Sequence, residues 1–181
     1  MKAFWRNQRG VAALEFALIF PFLLVVTVGA IDVALETFMD AALDRGASAA
    51  SRIGVTVVVP AGVDRDQAIY NAIWGTVGQF LQSPSQLTVS TMTYPNYSSI
   101  GQPEPCGDDS YAKTGTCTGP FTDINGNGHW DRDMGASGAG GYGAIVRYQV
   151  KITRPTFTGI PAFLNIKQYS LQRTIVVQNE S

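Results

Sequence analysis

The chain has 181 residues, of which 45% are hydrophobic and 15% charged, with a net charge of -1, one histidine and two cysteines. No basic stripe is available to neutralise phosphates, which excludes nucleic-acid binding. A histidine-rich metal centre and disorder of the whole chain are excluded by the same composition. A charged fraction below the usual ~25% implies that part of the chain lies out of water.

The charge is concentrated at the amino terminus. Residues 1–10 hold Lys2, Arg6 and Arg9 and no acid, whereas the rest has ten bases against fourteen acids. From Val11 to Ile31 every residue is apolar or small except Thr27 and Glu15. As a helix this run spans about 31 Å, the thickness of a bilayer's hydrocarbon core. Basic residues before it and acidic ones after it put the amino terminus in the cytoplasm. The reading is a single-pass membrane helix over 11–31, with residues 32–181 forming an extracytoplasmic domain. A secretory signal peptide competes, but its apolar core is shorter, and Thr27-Val28-Gly29-Ala30 makes a weak cleavage site. Glu15 is more telling, because an unpartnered carboxylate there costs about 2.5–3.5 kcal/mol on insertion scales. An amino-terminal ammonium, created by cleavage just before Val11, is the natural partner, in the same chain or in a neighbour. The plainer alternative is that Glu15 reaches back to the cytoplasmic interface.

Gly10 followed by Val11-Ala12-Ala13-Leu14-Glu15-Phe16 resembles a class III signal, cut by prepilin peptidase after the glycine. The longer string RGVAALEFALIFPFLLVVTVGAIDVA resembles the TadE-like minor pseudopilins of tight-adherence (Tad) pili, in which a Glu-Phe or Glu-Tyr pair precedes an aliphatic stretch with one proline, here Pro21. The closing SLQRTIVVQNE is similar to that family's last strand. Major type IV pilins and type II secretion pseudopilins differ in usually beginning the mature chain with phenylalanine. A Tad major pilin is a bare helix with a short tail, so the length here favours a minor subunit. The resemblance implies a pilin-like fold, residues 1–10 as a prepilin leader, and Glu15 setting axial register in a bundle. The implied partners are prepilin peptidase, other minor pseudopilins or pilins, and an inner-membrane assembly platform. The implied location is the bacterial inner membrane, with a periplasmic carboxy-terminal domain, or the surface pilus.

Beyond the membrane run, Asp32, Glu36, Asp40 and Asp44 recur every four residues and form an acidic stripe on a continuing helix. Ile31, Leu35, Phe38, Met39, Ala42 and Leu43 fall largely on the other side. The stripe reads as a solvated face or as a dock for a basic partner subunit. Gly46-Ala47-Ser48-Ala49-Ala50-Ser51 permits close backbone approach, Gly54 and Pro60 bound the element, and Pro21 should kink the membrane part. A second helix opens at Asp64, with Ala68, Ile69, Ala72, Ile73, Val77, Phe80 and Leu81 at core spacing. Alternation predicts strands over Leu87–Tyr94, Tyr142–Thr153 and Tyr169–Gln178, with a short helix or apolar loop over Pro155–Ile166. The fold class expected is α+β and pilin-like, a long amino-terminal helix packed on a small antiparallel sheet.

Residues 95–141 form a long loop rich in Gly, Pro, Ser, Asn and Asp. Cys106 and Cys117 within it form no CxxC pair; outside the cytoplasm a disulfide is expected, with two free thiols as the alternative. Asp123, Asn125 and Asn127 occupy the first three ligand positions of an EF-hand-like calcium loop, with Gly128 at its turn. His129 would offer a carbonyl and Asp131 a carboxylate; Met134 replaces the closing acid, and Asp133 sits one residue earlier. The same Asn-Gly repeats are ordinary turn chemistry. No cofactor is required, and calcium would stiffen the loop. Trp5, Trp74 and Trp130 suit a membrane interface, a core and a loop anchor. Nothing argues for an enzyme, since no GxSxG, P-loop or GxGxxG is present. The function expected is that of a minor pseudopilin in assembly, priming or the tip of a Tad (type IVc) pilus. The alternatives are a membrane-anchored binding or sensor domain, and a type II secretion pseudopilin.

Overall fold

The computed structural model describes residues 10–55 and 64–180. The leader before Gly10 and the boundary at Pro60 lie outside the described residues. One helix, α1, runs unbroken over Val11–Val55, 45 residues, with Pro21 inside it. At 1.5 Å per residue it is a rod of about 68 Å. Along it the hydroxyls of Thr27, Thr37 and Ser48 donate to carbonyls one turn back, so these polar groups need no other partner.

The rod has two halves. Residues 11–26 are exposed on every face. Farther on, Met39, Ala42, Leu43, Gly46, Ala50 and Gly54 are buried at spacings of three and four, a single stripe that faces a core. Against it lies α2, Arg65–Val77, with Ile69, Ile73 and Val77 buried. The helices approach closely because Gly46 has no side chain. A Cβ there would stand 2.5 Å from Thr76 Oγ1 and 3.2 Å from Ile73 Cα. Gly54 does the same against the sheet, where a Cβ would meet Tyr148 at 2.9 Å.

The sheet has four antiparallel strands in the order β2-β1-β3-β4. They are β1 at Leu87–Tyr94, β2 at Ala136–Ser137, β3 at Ile145–Pro155 and β4 at Gln168–Gln178. Between β1 and β2 lies one short helix, α3, Ser110–Thr114. Strand β3 is central: Val146, Tyr148, Val150 and Ile152 are fully buried in the cluster that includes Met39, Leu43, Ile69, Ile73 and Val77. The α+β arrangement is thus the one the periodicities imply.

Four local expectations are corrected. Strand β3 begins at Ile145 rather than Tyr142, because Gly143 takes a left-handed turn (φ 75°) just before it. The 95–141 segment is not loop throughout, since Ala136 and Ser137 pair with Thr93 and Met92 as an edge strand. The acidic stripe is neither a solvated face nor open to a partner subunit along its whole length. Asp32 is fully buried, and Asp40 and Asp44 bind Arg173 of this same chain. Conversely, Ile31 and Phe38, expected on the packed side, are exposed.

Candidate assembly helix and its attachment to the domain

Gly10 precedes the first helical turn, and among the described residues no atom lies within 4 Å of where its Cβ would be. Val11 begins α1 and is exposed, as are Glu15 and Phe16 one turn later. Phe16 packs against Phe20 with the rings tilted by 35° and 5.3 Å between centroids. The ion pairs among the described residues join Arg147 to Asp133 and Arg173 to Asp40 and Asp44, so none reaches Glu15. The helix is long and apolar enough to cross a membrane, and none of its most apolar window is buried within the protein. Among the described residues the Glu15 carboxylate thus has no cation partner on an exposed apolar helix, where an uncompensated charge is costly in hydrocarbon.

Where the bare half ends, α1 is fastened to the domain. The Asp32 carboxylate accepts from Phe157 N at 2.9 Å, from Thr158 N at 3.3 Å and from Thr158 Oγ1 at 3.2 Å. Both residues follow β3, so one buried side chain satisfies the backbone donors of a turn that has left the sheet. Beside it Arg154, also buried, lies 3.5 Å over the Phe157 ring and donates to the carbonyls of Phe80 and Pro155. Burial lowers the Arg154 pKa, the nearby Asp32 opposing that shift. The Tyr169 phenol is pushed up to about 12, first by burial and then by Asp32.

Two turns higher, Arg173 on β4 donates to Asp44 at 2.6 Å and to Asp40 at 2.8 Å. The hydrogen bond from Arg173 holds the Asp44 carboxyl below the usual carboxylate range. Glu36 lies between these two attachments and has no ion-pair partner among the described residues. Burial, then the charges of Asp32 and Asp40, raise its pKa.

The long loop is organised by a residue that sequence reasoning passed over. Glu104 is buried, and its carboxylate accepts from Ile124 N, Asn125 N and Asp131 N at 2.7, 3.3 and 3.1 Å. Its carbonyl accepts from the Trp130 indole at 2.9 Å. The residues read as calcium ligands are brought together in part. Asp123 accepts from Gly126 N and Gly128 N, and Asp131 from the Asn125 and Asn127 amides. Those amide bonds hold the Asp131 pKa down. His129 is exposed, and its N–H donates to Asn127 Oδ1. Asp133 turns away to Arg147 at 2.6 Å, at the edge of the sheet. Cys106 and Cys117 are bonded to each other. Trp74 stacks on Tyr70 and is partly buried against the core.

Residues 10–52 match the family model of TadE-like proteins. Over that stretch, about a quarter of its length, the chain is similar to TadE-like proteins. By length and composition, the helix that carries the match fits a single-pass membrane anchor. The match covers the exposed half of α1 and most of its packed half, ending before the sheet begins. No curated protein and no solved structure matches the chain.

Proposed function

We propose that this TadE-like chain is a minor pseudopilin, cut by prepilin peptidase after Gly10, that primes assembly of a Tad pilus or caps its tip. The observation that carries the proposal is the carboxylate of Glu15, exposed on an apolar helix and without a cation partner or covering among the described residues. Cleavage after Gly10 makes Val11 the new amino terminus and Glu15 the fifth residue. Its ammonium and the Glu15 carboxylate then neutralise each other, within one chain or between neighbours. In hydrocarbon such a pair is strongly favoured over two separate charges, so it selects one axial offset among many that an aliphatic surface alone would accept. The same helix stores the subunit in the inner membrane and later packs against other subunits. The carboxy-terminal domain stands on the periplasmic side, beside other minor pseudopilins and the assembly platform.

Glu15→Ala in the host organism tests this. The variant should be cleaved and stable, yet cells should lose surface pili when counted by electron microscopy. Normal piliation with Glu15→Ala favours a membrane-anchored binding or sensor domain, for which the helix is only a tether. Co-isolation with a type II secretion machine in place of pilus components would favour a pseudopilin of that system.

A further inference from the structure

The connection between β3 and β4 carries large apolar side chains in the open. Phe163 is 86% exposed, Leu164 76% and Ile166 45%, three within four residues. Their height along α1 follows from contacts higher up. Strand β4 descends beside the helix: Val177 lies against Gly54, and Arg173 bonds Asp44 and Asp40. A strand advances about 3.3 Å per residue and a helix 1.5 Å, so five residues of β4 below Arg173 cover about eleven of α1. Gln168 therefore lies near the level of Asp32, where the apolar run of α1 ends. The loop goes lower still. Phe157 and Thr158 are bonded to Asp32, and Ile160 Cγ2 comes within 3.8 Å of the Cβ position of Gly29, inside the apolar run.

The tip is also prepared to leave water. Phe163 N donates to the Ile160 carbonyl, Asn165 N to Ala162 and Ile166 N to Pro161, all at 3.0–3.1 Å. Pro161 has no N–H to satisfy. A turn with its backbone donors met internally can enter an apolar phase at far lower cost than an open loop. Asn165, in the left-handed region (φ 62°), reverses the chain, and exposed Lys167 follows at the point of return.

We propose that Phe163, Leu164 and Ile166 enter the outer leaflet of the membrane that α1 crosses, giving the domain a second, shallow foothold. The proposal rests on the reading of residues 11–31 as a membrane span. Insertion of apolar side chains by about 5–10 Å, to the boundary between headgroups and acyl chains, is the usual depth for such contacts. Lys167 then reaches anionic headgroups with its stem along the apolar surface. Asp32 makes the foothold rigid with the helix, so the domain is held at one height and tilt above the bilayer. A subunit drawn out of the membrane must release this contact together with the helix.

The test uses the full-length chain, with its disulfide intact, in vesicles of phosphatidylethanolamine and phosphatidylglycerol. An environment-sensitive fluorophore is attached at Leu164→Cys, Phe22→Cys or Tyr142→Cys, one at a time. Lipids carrying nitroxides at shallow or deep acyl positions report depth, and iodide reports water. The proposal expects blue-shifted emission at Leu164→Cys, quenched more by shallow than by deep nitroxides, with Phe22→Cys quenched more by deep ones. Tyr142→Cys should respond to iodide alone. Leu164→Cys as open to iodide as Tyr142→Cys, with Phe22→Cys still quenched by lipid, would overturn the foothold and leave the membrane span standing. Shielding at Leu164→Cys that nitroxide lipids do not reach, and that is lost on diluting protein in lipid, would overturn it in favour of a second copy of the chain. Absence of lipid quenching at Phe22→Cys would sink the membrane reading, and the foothold with it.

Discussion

Asp32 accepts three hydrogen bonds from Phe157 and Thr158 while fully buried, so its removal leaves two backbone N–H groups without a partner. Each such loss costs about 1–3 kcal/mol. Asp32→Ala should therefore lower the unfolding free energy of the full chain in detergent micelles, and hydrogen exchange should quicken first in residues 156–167. Uniform quickening across the sheet would show that Asp32 supports the whole core rather than this one turn. Glu36 carries the opposite sign from Asp44. Its pKa is raised in the folded state, so its ionisation is disfavoured by folding, and it weakens the fold above the unfolded carboxylate value near 4.5. Glu36→Gln should raise the melting temperature at pH 7, and the gain should vanish when both proteins are compared well below pH 4. Asp44, with its pKa lowered, contributes stability that is present at neutral pH and lost as pH falls through its folded value. Asp44→Asn should therefore lower the melting temperature at pH 7 and matter less in acid.

At the scale of elements, α1 was legible in the sequence and its neighbours only in part. An unbroken aliphatic run followed by a stripe at spacings of three and four is a local signal, as are the alternations that became β1, β3 and β4. Spacing of acids every four residues told which face they share but not what meets them. Asp32 finds Thr158 across 126 residues and Asp40 finds Arg173 across 133, separations that no local pattern encodes. A hint was present in β4, where Arg173 occupies an inward position between Leu171 and Ile175. A charge on the packed side of a strand calls for an opposite charge on whatever covers it. Glu104 had no comparable signal, because a loop without periodicity does not reveal which side chain fills its interior. The small residues of α1 were more informative. Gly46→Val should cost about 1–3 kcal/mol or more by driving α2 outward, measured by chemical unfolding. By contrast Gly75→Ala in α2, with nothing within 4 Å of its Cβ, should stabilise by about 0.5–1 kcal/mol. Equal effects of the two would contradict the tight α1–α2 contact.

The whole molecule is a rod with a domain clamped to one half. The clamp explains how a small sheet can direct a long helix: Asp32 on α1 is bonded to the turn that follows β3, and Asp40 and Asp44 to Arg173 on β4, so the helix is fastened to the sheet at two levels. The bare half gains nothing from this clamp and must be covered by lipid or by other helices. This division is what a subunit needs if it waits in a membrane and then joins a fibre. The TadE-like match falls on the rod.

The pseudopilin role depends on Glu15 meeting an amino terminus, and so on where the mature chain begins. The most direct measurement is the intact mass, with amino-terminal sequence, of the protein extracted from its host's membranes. Our account predicts a chain that starts at Val11, and retention of the full leader in a strain lacking prepilin peptidase. A chain that still carries Arg9-Gly10 in the wild-type host, or one that starts beyond Ala30, would contradict it.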